Sequence, residues 1–455
     1  MFIHELRWYR VCSVLGQGRF FIERRYSTMS NTFQTPRGTY DILPDEMGKW
    51  HDAERIMREV SDLYRYQEIR TPYFELTKVF DREGDSSDMV NKEMYSFRTK
   101  EQYGEQSESY TLRPEGTAGT IRAFDQHKMY ATNELPVRLY YLGPMFRHER
   151  PQKGRQRQFT QYGVEALGIK SPQLDAEVIA LGVDIIKAVG IKSVKVAINT
   201  LGDDDSRAAY RQALKDYFAP HIDELCEDCH RRYEQNPLRI LDCKVDGDNP
   251  VVLNAPKLSD YLTPESKAYF DEVLKSLESL GIDYEVDDRL VRGLDYYTDT
   301  VFEIISVRPE SGKAATVCGG GRYDHFIDYY GGPELSGIGF AFGVERLLTL
   351  AVEEGHVFNE DRPLDAYIIS LGETGSIPLQ VAQELRHAGL TAEVNFVPRS
   401  LKSQFKSSDR KGAKYVVIIG ETEAAEGKVN LKRPGEKEQV TVDRKDLVRT
   451  IEGME

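Results

Sequence analysis

A basic segment that leads into a strand-like segment is the feature that most constrains how this chain of 455 residues folds. Residues 147–157 contain five Arg or Lys and one Glu, although the whole chain has a formal net charge of −14. An alternating run follows from Gln158, and it places Gln161 and Glu165 on the same face of a strand. The pattern predicts a strand–loop–strand hairpin. We expect its loop to bind an anion such as a nucleotide phosphate, and its second strand to bind a small polar substrate.

Composition and length indicate a folded protein of more than one domain. Hydrophobic residues make up 40% of the chain and charged residues 29%, which is not the profile of a disordered protein. A length of 455 residues exceeds that of one typical domain. No apolar run approaches the ~20 residues that a membrane span needs. The negative net charge argues against indiscriminate nucleic-acid binding but leaves room for a local basic patch that binds RNA.

The cysteine content indicates a reducing compartment, and we therefore predict a cytoplasmic protein. The five cysteines are Cys12, Cys226, Cys229, Cys243 and Cys318. Their number is small for this length and odd, whereas secreted domains pair their cysteines. Zinc is one interpretation of the three that are close in sequence. Because only three thiols are available and His230 directly adjoins Cys229, we predict packed thiols and no metal ligated by the protein.

Residues 1–28 form an Arg-rich extension with five Arg and two Glu. They lack the continuous apolar core of a signal peptide, although their composition weakly resembles an organelle transit peptide. We predict instead a disordered extension that precedes an internal start at Met29.

Alternation and turn residues predict a large domain from 29 to 355. It is expected to begin with a turn-rich segment at 36–44 and a helix at 45–64. Strands are predicted at 66–74, 110–112, 137–146, 157–165, 194–198 and 301–307. Pro72 interrupts the first of these, which suits an edge strand or a strand at a subunit contact. Short turns separate several strands, so we expect a mainly antiparallel sheet.

A helical insertion and a second domain complete the predicted organisation. Residues 203–285 have a helical pattern and contain the three clustered cysteines. From 363 to 455 the pattern becomes that of an α/β domain. Its predicted strands lie at 366–371, 391–396 and 415–419, and its predicted helix lies at 379–388.

A turn between a strand and a helix at 111–119 is a candidate substrate site. Glu115 at this turn is placed to receive a cation such as an amino group, and Thr117 is placed to help hold it. Capping of the following helix by the same two residues is an equally good interpretation.

Arginines are the candidate phosphate ligands. Arg147 in the basic loop suits bidentate phosphate binding, with a solvated loop as the alternative. Arg292 precedes a glycine and is followed in sequence by Tyr296 and Tyr297. As alternatives, a tyrosine pair is typical of a core, and Arg292 can pair with a nearby carboxylate. The chain contains no Gly-x-x-x-x-Gly-Lys-Ser/Thr loop, so arginines must hold the phosphates of any bound nucleotide.

Two glycine-rich segments can also contribute to the site. Residues 319–324 would let a ligand approach the backbone closely, with Tyr323 as a wall, and a tight turn is the alternative. At 337–346 a strand is predicted to turn into a helix that continues to 354. Arg346 in the first turns of this helix can reach a phosphate, although strand–helix packing alone also explains the glycines.

Taken in order, these segments resemble those of histidyl-tRNA synthetases, a family of class II aminoacyl-tRNA synthetases. The resemblance covers residues 35–446, and its most specific motifs are Phe-Arg-His-Glu-Arg-Pro-Gln at 146–152 and Arg-Gly-Leu-Asp-Tyr-Tyr at 292–297. It implies an α+β fold, with a class II antiparallel-sheet catalytic domain, the helical insertion and a C-terminal α/β anticodon-binding domain. It also implies a homodimer, with residues 66–74 near the interface.

The resemblance implies a two-step reaction that uses ATP with Mg²⁺, L-histidine and tRNA(His). ATP and histidine give histidyl-adenylate and pyrophosphate, and the histidyl group then passes to the 3′ end of the tRNA. By motif position, Arg147 and Arg292 bind the α-phosphate as catalytic residues, and Arg346 binds the far phosphates. The residues that it implies for histidine are Glu115 and Thr117 for the amino group, Gln161 near the amino acid backbone, Glu165 and Tyr297 for the imidazole, and Tyr296 and Tyr323 as pocket lining.

Candidate tRNA contacts lie in two places. The hairpin residues Arg150 and Gln152 are candidates for the acceptor end. In the C-terminal domain, residues 401–414 carry five Lys or Arg, with Phe405 between them as a possible stacking surface. The cations that we assign to the tRNA there are Lys402, Lys406, Arg410 and Lys411, with a solvated helix face as the alternative.

Two other functions fit parts of the sequence. A non-catalytic, synthetase-like regulatory subunit of histidine biosynthesis would lack the segment 292–297 and the C-terminal domain, and this chain has both. An RNA-binding module that senses uncharged tRNA would not need Arg147, Arg292 and Arg346. Both alternatives therefore rank below the ligase. No Ser/His/Asp or Cys/His set stands out, which agrees with a mechanism based on positioning.

Overall fold

The computed structural model describes residues 33–81, 89–99, 107–132, 134–151, 155–291, 296–307, 314–359, 363–397, 399–436 and 438–454. The predicted extension at 1–28 lies outside these residues. The chain divides into a short unit, Met1–Pro36, and a large unit, Arg37–Glu455, and the account below concerns the large unit.

The large unit contains both β-strands and α-helices. In chain order the strands are β1 (Gln67–Glu68), β2 (Phe74–Leu76), β3 (Tyr95–Arg98), β4 (Ser109–Leu112), β5 (Val137–Phe146), β6 (Gln158–Leu167), β7 (Val194–Thr200), β8 (Tyr284–Val286), β9 (Thr298–Val307), β10 (Ala314–Tyr323), β11 (Gly337–Gly343), β12 (Ala366–Ser370), β13 (Ala392–Val394), β14 (Tyr415–Ile419), β15 (Lys428–Lys432) and β16 (Val440–Asp443). The α-helices are α1 (Pro44–Leu63), α2 (Thr117–Gln126), α3 (Met129–Thr132), α4 (Pro172–Ala188), α5 (Asp204–Phe218), α6 (Glu227–Gln235), α7 (Pro250–Leu253), α8 (Pro264–Ser279), α9 (Phe326–Tyr329), α10 (Val344–Glu353), α11 (Ile377–His387), α12 (Leu401–Arg410), α13 (Glu421–Glu426) and α14 (Leu447–Glu452).

An eight-stranded sheet organises the first domain, in the order β1-β5-β6-β11-β10-β9-β7-β8. All its inner pairs are antiparallel, and only the outermost pairs, β1 with β5 and β7 with β8, are parallel. The prediction of a mainly antiparallel sheet is therefore confirmed. A separate three-stranded antiparallel sheet, β2-β4-β3, carries the turn that precedes α2.

One face of the large sheet forms the main hydrophobic core. Alternate residues of β6, Tyr162, Val164 and Ala166, are fully buried in it. They pack with buried residues of α1, α4, α8 and α10. Because side chains alternate along a strand, the residues between them, including Gln161 and Glu165, point to the opposite face. The same alternation along β11 buries Ile338 and Phe340 and places Gly339 on that opposite face.

A buried ion pair joins this core to β10. Arg322 and Asp175 both have 0% exposed side chains, and the guanidinium donates to both oxygens of the carboxylate. Asp175 belongs to α4 and also accepts hydrogen bonds from Thr300 Oγ1 at 2.7 Å and Tyr269 Oη at 3.1 Å. Two strands and two helices are therefore fixed to one carboxylate.

Two expectations from the sequence need correction. The alternative of a tight turn at 319–324 is excluded, because residues up to Tyr323 belong to β10. The long prediction at 66–74 resolves into two short strands, β1 and β2, and β1 lies at a sheet edge as Pro72 suggested. The predicted change from strand to helix within 337–346 is confirmed, since residues up to Gly343 form β11 and α10 starts at Val344.

The helical insertion has a small core of its own. It begins at α5, whose N-cap residue Asp203 accepts a 2.8 Å hydrogen bond from the Ser206 backbone. The core contains ten buried residues, among them Phe218, Cys229 and Cys243. Helix α8 instead buries Phe270, Val273 and Leu277 in the main core, and β8 pairs with β7. The insertion with a separate core therefore covers fewer residues than the predicted insertion at 203–285, because α8 and β8 belong to the main domain.

The C-terminal region forms the predicted α/β domain. Its five-stranded sheet has the order β13-β12-β14-β15-β16, with parallel pairing on either side of β12 and antiparallel pairing beyond β14. The last two strands, and helices α13 and α14, carry no prediction from the sequence. Among the residues that the structure describes, no helix is long and apolar enough to cross a membrane.

The buried ion pair gives a testable prediction about stability. We expect Arg322→Met to lower the free energy of unfolding by about 3–5 kcal/mol, because it leaves the Asp175 carboxylate buried without its cation. The double variant Arg322→Met/Asp175→Leu is expected to be more stable than the single variant. Urea unfolding gives the free energy of unfolding of wild type, the single variant and the double variant. Arg70→Met, which removes an exposed partner of Glu68, is the control and should cost at most ~1 kcal/mol. Equal losses from Arg322→Met and Arg70→Met would contradict the assignment.

Candidate active site

A cleft of about 300 Å³ opens on the face of the eight-stranded sheet that lies opposite the main core. Nine of the residues predicted from the sequence for ATP or histidine line it: Glu115, Thr117, Arg147, Gln161, Glu165, Tyr296, Tyr297, Tyr323 and Arg346. The tenth, Arg292, lies outside the described residues. The structure thus gathers side chains that are separated by up to 231 positions in sequence, from Glu115 to Arg346, into one site.

Glu165 lies at the closed end of the cleft and is only 1% exposed. Its Oε2 accepts a hydrogen bond from the phenol of Tyr323 on β10, whereas its Oε1 accepts none from any described residue. Burial raises the pKa of the Glu165 carboxyl to about 8, against the opposing effect of the Tyr323 phenol. A Cβ at Gly339 would lie 2.0 Å from Oε2, so glycine is required beside this carboxyl.

The turn before α2 holds a second carboxylate next to the first. Both oxygens of Glu115 accept hydrogen bonds from backbone N–H groups at the start of α2, from Thr117 at 2.6 Å and Ala118 at 2.8 Å. The capping alternative is therefore observed for the Glu115 side chain, whereas the Thr117 hydroxyl lies 3.5 Å from the Tyr141 hydroxyl. The amide oxygen of Gln161 accepts a 3.0 Å hydrogen bond from the Gly116 backbone, which joins the turn to β6. Each Glu115 oxygen can accept a second hydrogen bond, so the capping contacts are compatible with binding of an amino group. That binding stays a prediction.

Tyr141, a residue that the sequence did not single out, forms the floor between this turn and β6. Its ring is buried, and its hydroxyl lies 3.5 Å from Thr117 Oγ1. A Cβ at Gly116 would approach the ring to 2.2 Å, and one at Gly163 would approach the hydroxyl to 2.3 Å. Both glycines are thus explained by close approach to an aromatic ring.

Aromatic rings form one wall of the closed end. Tyr296 stacks on Phe326 with centroids 4.5 Å apart and meets Tyr323 edge-on at 5.7 Å. Tyr297 is 6% exposed and lies 4.7 Å from Tyr296. Such packing fixes the ring positions, so the pocket has a defined shape before a ligand binds.

The open end of the cleft is rich in cations. Arg147 Nε donates to the backbone carbonyl of Pro114 at 2.8 Å, which orients its guanidinium 5.3 Å from the Phe159 ring. Burial lowers the pKa of Arg346, and the neighbouring Arg155 lowers it further. Like charges that share a site are stabilised by an anion, so this end suits a polyphosphate.

Arg113 lies nearby but has a structural role. It is 5% exposed, and it donates to the backbone carbonyls of Pro144 at 2.9 Å and Thr71 at 3.0 Å.

Sequence reasoning missed two residues at the open end. Glu345 lies in the first turn of α10 and accepts a 2.7 Å hydrogen bond from the Thr160 backbone, while its buried Oε2 accepts none from the described residues. Burial raises the pKa of its carboxyl to about 7. Phe159 offers an aromatic face in the same cleft. Glu345 directly precedes the predicted Arg346, and Phe159 lies two positions before the predicted Gln161, so these sequence positions were the available signal.

None of the candidate tRNA residues that the structure describes lines the cleft. Lys402, Lys406 and Arg410 are exposed at four-residue intervals on α12, and Lys411 follows them and pairs with Glu393 at 2.8 Å. Phe405 packs on the smaller core of this domain, with Lys432 Nζ 5.5 Å from its ring centre. Arg150 is exposed, and Gln152 lies outside the described residues.

Comparison with known proteins agrees with this geometry. The family model for histidyl-tRNA synthetase matches residues 38–347, and the model for the anticodon binding domain matches residues 365–454. The chain belongs to the histidyl-tRNA synthetase family. Within the family it is 48% identical over 423 residues to histidine--tRNA ligase 1 of Shouchella clausii, covering 92% of this chain and 98% of the relative. It is also 48% identical over 415 residues to histidine--tRNA ligase of Bacillus subtilis, covering 90% and 97%.

Solved structures of the family share the fold. The apo histidyl-tRNA synthetase of S. aureus superposes with a TM-score of 0.77 at 40% identity, covering 92% of this chain and 99% of that one. A Bacillus halodurans C protein described as an ATP phosphoribosyltransferase regulatory subunit/histidyl-tRNA synthetase has a TM-score of 0.61 at 21% identity, covering 86% and 99%. At that identity the likeness concerns the fold alone. The predicted α+β class II fold is confirmed.

Glu165 gives a prediction about pH dependence. Its carboxyl stays protonated in the folded chain up to pH about 8 but ionises above pH ~4.3 in the unfolded chain. The folded state therefore binds more protons in this window, and stability falls as pH rises, by up to ~1.4 kcal/mol per pH unit. Glu165→Gln removes this contribution, so its free energy of unfolding should depend less on pH. Urea unfolding at several pH values measures it.

The control for this experiment is Glu134→Gln, which alters an exposed carboxylate. It should follow the wild-type pH dependence. Glu345 contributes a similar slope up to pH about 7 in every variant, so the comparison rests on differences from wild type. Parallel curves for Glu165→Gln and wild type would show that the buried carboxyl is ionised in the folded protein.

Proposed function

We propose that this chain is a histidine–tRNA ligase that forms histidyl-adenylate from L-histidine and ATP and transfers the histidyl group to the 3′ end of tRNA(His). The observation that carries the proposal is the polarity of one cleft. Two carboxyl groups, Glu115 and Glu165, lie at its closed end. Three arginines, Arg147, Arg155 and Arg346, line its open end together with Glu345 and with Glu149, which pairs with Arg155 at 3.2 Å. A cationic amino acid and a polyphosphate would complement these two ends.

Histidine fits the closed end by hydrogen bonding. Its imidazole would donate to the free Oε1 of Glu165, whose other oxygen is already held by Tyr323. Its ammonium group would lie at Glu115, with Thr117 as a further acceptor and Gln161 near the amino acid backbone. Tyr297 would contact the ring and Tyr296 would line the pocket. An apolar side chain would leave Glu165 Oε1 buried without a partner, which disfavours its binding.

ATP fits the open end by charge. Arg147 is proposed to bind the α-phosphate, together with Arg292, and Arg346 to bind the far phosphates. The carboxylate Glu345, with one buried oxygen free of described partners, suits the hard cation Mg²⁺ that accompanies ATP. Phe159 offers a flat apolar surface for the adenine ring.

The proposed chemistry relies on positioning. A histidine carboxylate oxygen forms a bond to the α-phosphorus, the bond to the bridging oxygen breaks, and pyrophosphate leaves. Negative charge develops on the α-phosphate, and fixed guanidinium groups stabilise it. A ribose hydroxyl at the 3′ end of the tRNA then attacks the adenylate carbonyl, and AMP leaves. No side-chain nucleophile is needed.

Two surfaces are proposed for the tRNA. Arg150 and Gln152 border the cleft in sequence and would meet the acceptor end. The exposed row of Lys402, Lys406 and Arg410 on α12, with Lys411, would contact the anticodon region through phosphates. The packing of Phe405 against its own domain favours phosphate contacts over base stacking there. A cytoplasmic location stays a prediction.

ATP–pyrophosphate exchange tests the proposed function directly. We expect exchange that depends on histidine, and rates with phenylalanine lower by on the order of 10⁴, because the pocket would otherwise bury an unpaired carboxyl. A regulatory subunit without ligase activity would show no exchange although it is folded. Absence of exchange with histidine in folded protein would therefore reject the ligase.

The same assay tests the α-phosphate ligand inferred from the sequence. We expect Arg292→Ala to lower kcat by about 10²–10³, while the KM for histidine changes by less than ~3-fold. Arg289→Ala removes an exposed arginine three positions earlier and serves as the matched control. Equal activity of the two variants would show that Arg292 does not stabilise the transition state.

A homodimer is proposed from the surface of the three-stranded sheet. Tyr73, Phe74 and Phe97 are 54%, 52% and 44% exposed. The rings of Phe74, Phe97 and Tyr110 form one patch with centroids 5.8–6.2 Å apart. Exposed aromatic patches on this scale are typical of interaction sites. The patch includes the end of the segment 66–74 that the sequence placed near an interface.

Sedimentation velocity tests the dimer. The chain has a mass of 52.0 kDa, and we expect a species of about twice that mass for wild type. Phe74→Glu/Phe97→Asp should shift the protein to monomer, because it places charge in the buried centre of the interface. Val357→Glu, at a residue that is 87% exposed, is the control. A wild-type monomer at about micromolar concentration would contradict the proposal.

A further inference from the structure

A compact group of sulfur and oxygen ligands lies in the helical insertion, outside the active-site cleft. Cys226, Cys229, Cys243 and Asp246 each offer one ligand atom, and these atoms all lie within 4.8 Å of one another. None of the four residues lines the cleft. The sequence argument against a metal counted three thiols and found no fourth ligand. The structure places Asp246 beside the three thiols as a fourth candidate ligand, which that argument did not consider.

We propose that these four residues bind one Zn²⁺ ion, which holds the insertion together. Three thiolates and one carboxylate make a closed set of four ligands, as in structural zinc sites. A site without an open position stabilises a fold and takes no part in catalysis. The proposal is independent of the ligase reaction.

The distances between ligand atoms fit a tetrahedral ion. The sulfurs of Cys226 and Cys243 are 3.6 Å apart, and the sulfur of Cys243 lies 3.7 Å from Asp246 Oδ2. A tetrahedral Zn²⁺ with Zn–S bonds of about 2.3 Å separates two thiolates by about 3.8 Å, and a thiolate from a carboxylate oxygen by about 3.5 Å. These two distances match an ion of this size, and the remaining ligand atoms, including the sulfur of Cys229, lie within 4.8 Å of one another.

The backbone is arranged to support these ligands. Cys226 is the N-cap residue of α6, which places Cys229 in the first turn of the same helix. Cys243 and Asp246 lie in one turn, where the Asp246 backbone N–H donates to Cys243 Sγ at 3.4 Å. A Cβ at Gly247 would lie 2.6 Å from the Cys243 carbonyl oxygen, so this tight turn requires glycine. Two pairs with the same spacing, Cys-x-x-Cys and Cys-x-x-Asp, therefore meet.

The Asp246 carboxylate in this cluster would be stabilised by a cation. Asp246 is only 9% exposed, and its Oδ2 accepts a 2.9 Å hydrogen bond from the Cys226 backbone. Within the described part of the chain, no Lys, Arg or His forms an ion pair with it. A nearly buried carboxylate without a cation is costly, and its immediate neighbours are thiols, which are weak donors. A divalent ion would supply the missing charge.

The size of the insertion core explains why a metal would matter. The core has ten buried residues, and Cys229 and Cys243 are two of them. Small cores stabilise a fold weakly, and natural small domains often add a metal or disulfides. A zinc ion would join the start of α6 to the turn before α7, and so would close a loop of residues 226–246.

Zinc content is the first measurement. Full-length protein without a metal-binding tag is loaded with Zn²⁺ under reducing conditions, passed through a desalting column and analysed for metal. We expect about one zinc ion per chain. In Cys229→Ser, Cys243→Ser and Asp246→Asn, the affinity for zinc should fall at least ~10-fold. The controls Cys318→Ser, a buried thiol elsewhere, and Asp248→Asn, an exposed carboxylate of the same turn, should retain the metal.

Two further measurements use only the wild-type protein, so they do not require that a variant folds. Co²⁺ loaded into the wild-type chain should give the visible absorption of a tetrahedral, thiolate-bound ion. Chelation should lower the thermal midpoint by at least ~4 °C, and Zn²⁺ but not Mg²⁺ should restore it.

The proposal is overturned if the reduced, folded chain takes up no zinc, or if Asp246→Asn and Cys229→Ser bind it as tightly as wild type. It is also overturned if two of the five thiols are lost as a disulfide in protein purified under reducing conditions.

Discussion

The position of the substrate pocket depends on the buried ion pair between Arg322 and Asp175. Arg322 and Tyr323 are neighbours in β10, so their side chains point to opposite faces of the sheet. Arg322 is fixed to α4 through Asp175 on the core face. Tyr323 therefore presents its hydroxyl to Glu165 at a set position on the cleft face. An ion pair of this kind adds little net stability compared with apolar packing, and we infer that this one instead specifies a single arrangement of β10 and α4. We infer that this specificity is its contribution to recognition.

Sequence alone predicted the polar residues of the site far better than the surfaces around them. Gln161 and Glu165 were identified because alternation in a strand is a local property, and the structure places both in the cleft. Tyr141 was missed because nothing local distinguishes it from a core tyrosine. Its importance follows from Gly116 and Gly163, which approach its ring only in the folded chain.

Long-range pairing also explains the errors in the fold. The glycines before Tyr323 predict a turn by local chemistry, yet they form a central strand because β9 and β11 pair on both sides of them. Local propensity is weak where tertiary packing decides. Asp246 was overlooked for the same reason, since a single aspartate gains meaning only beside three thiols.

The two ends of the cleft differ in how they hold charge before a ligand arrives. At the closed end, burial raises the pKa of Glu165 to about 8, so the empty pocket holds a neutral carboxyl and avoids a buried charge beside Glu115. An incoming imidazole can accept or share that proton, so recognition requires a base of matching pKa near neutrality. At the open end, burial and the neighbouring Arg155 lower the pKa of Arg346, and an anion beside Arg346 would offset both effects. The cleft therefore selects a titratable base at one end and a permanent anion at the other, and these are the distinguishing groups of histidine and ATP.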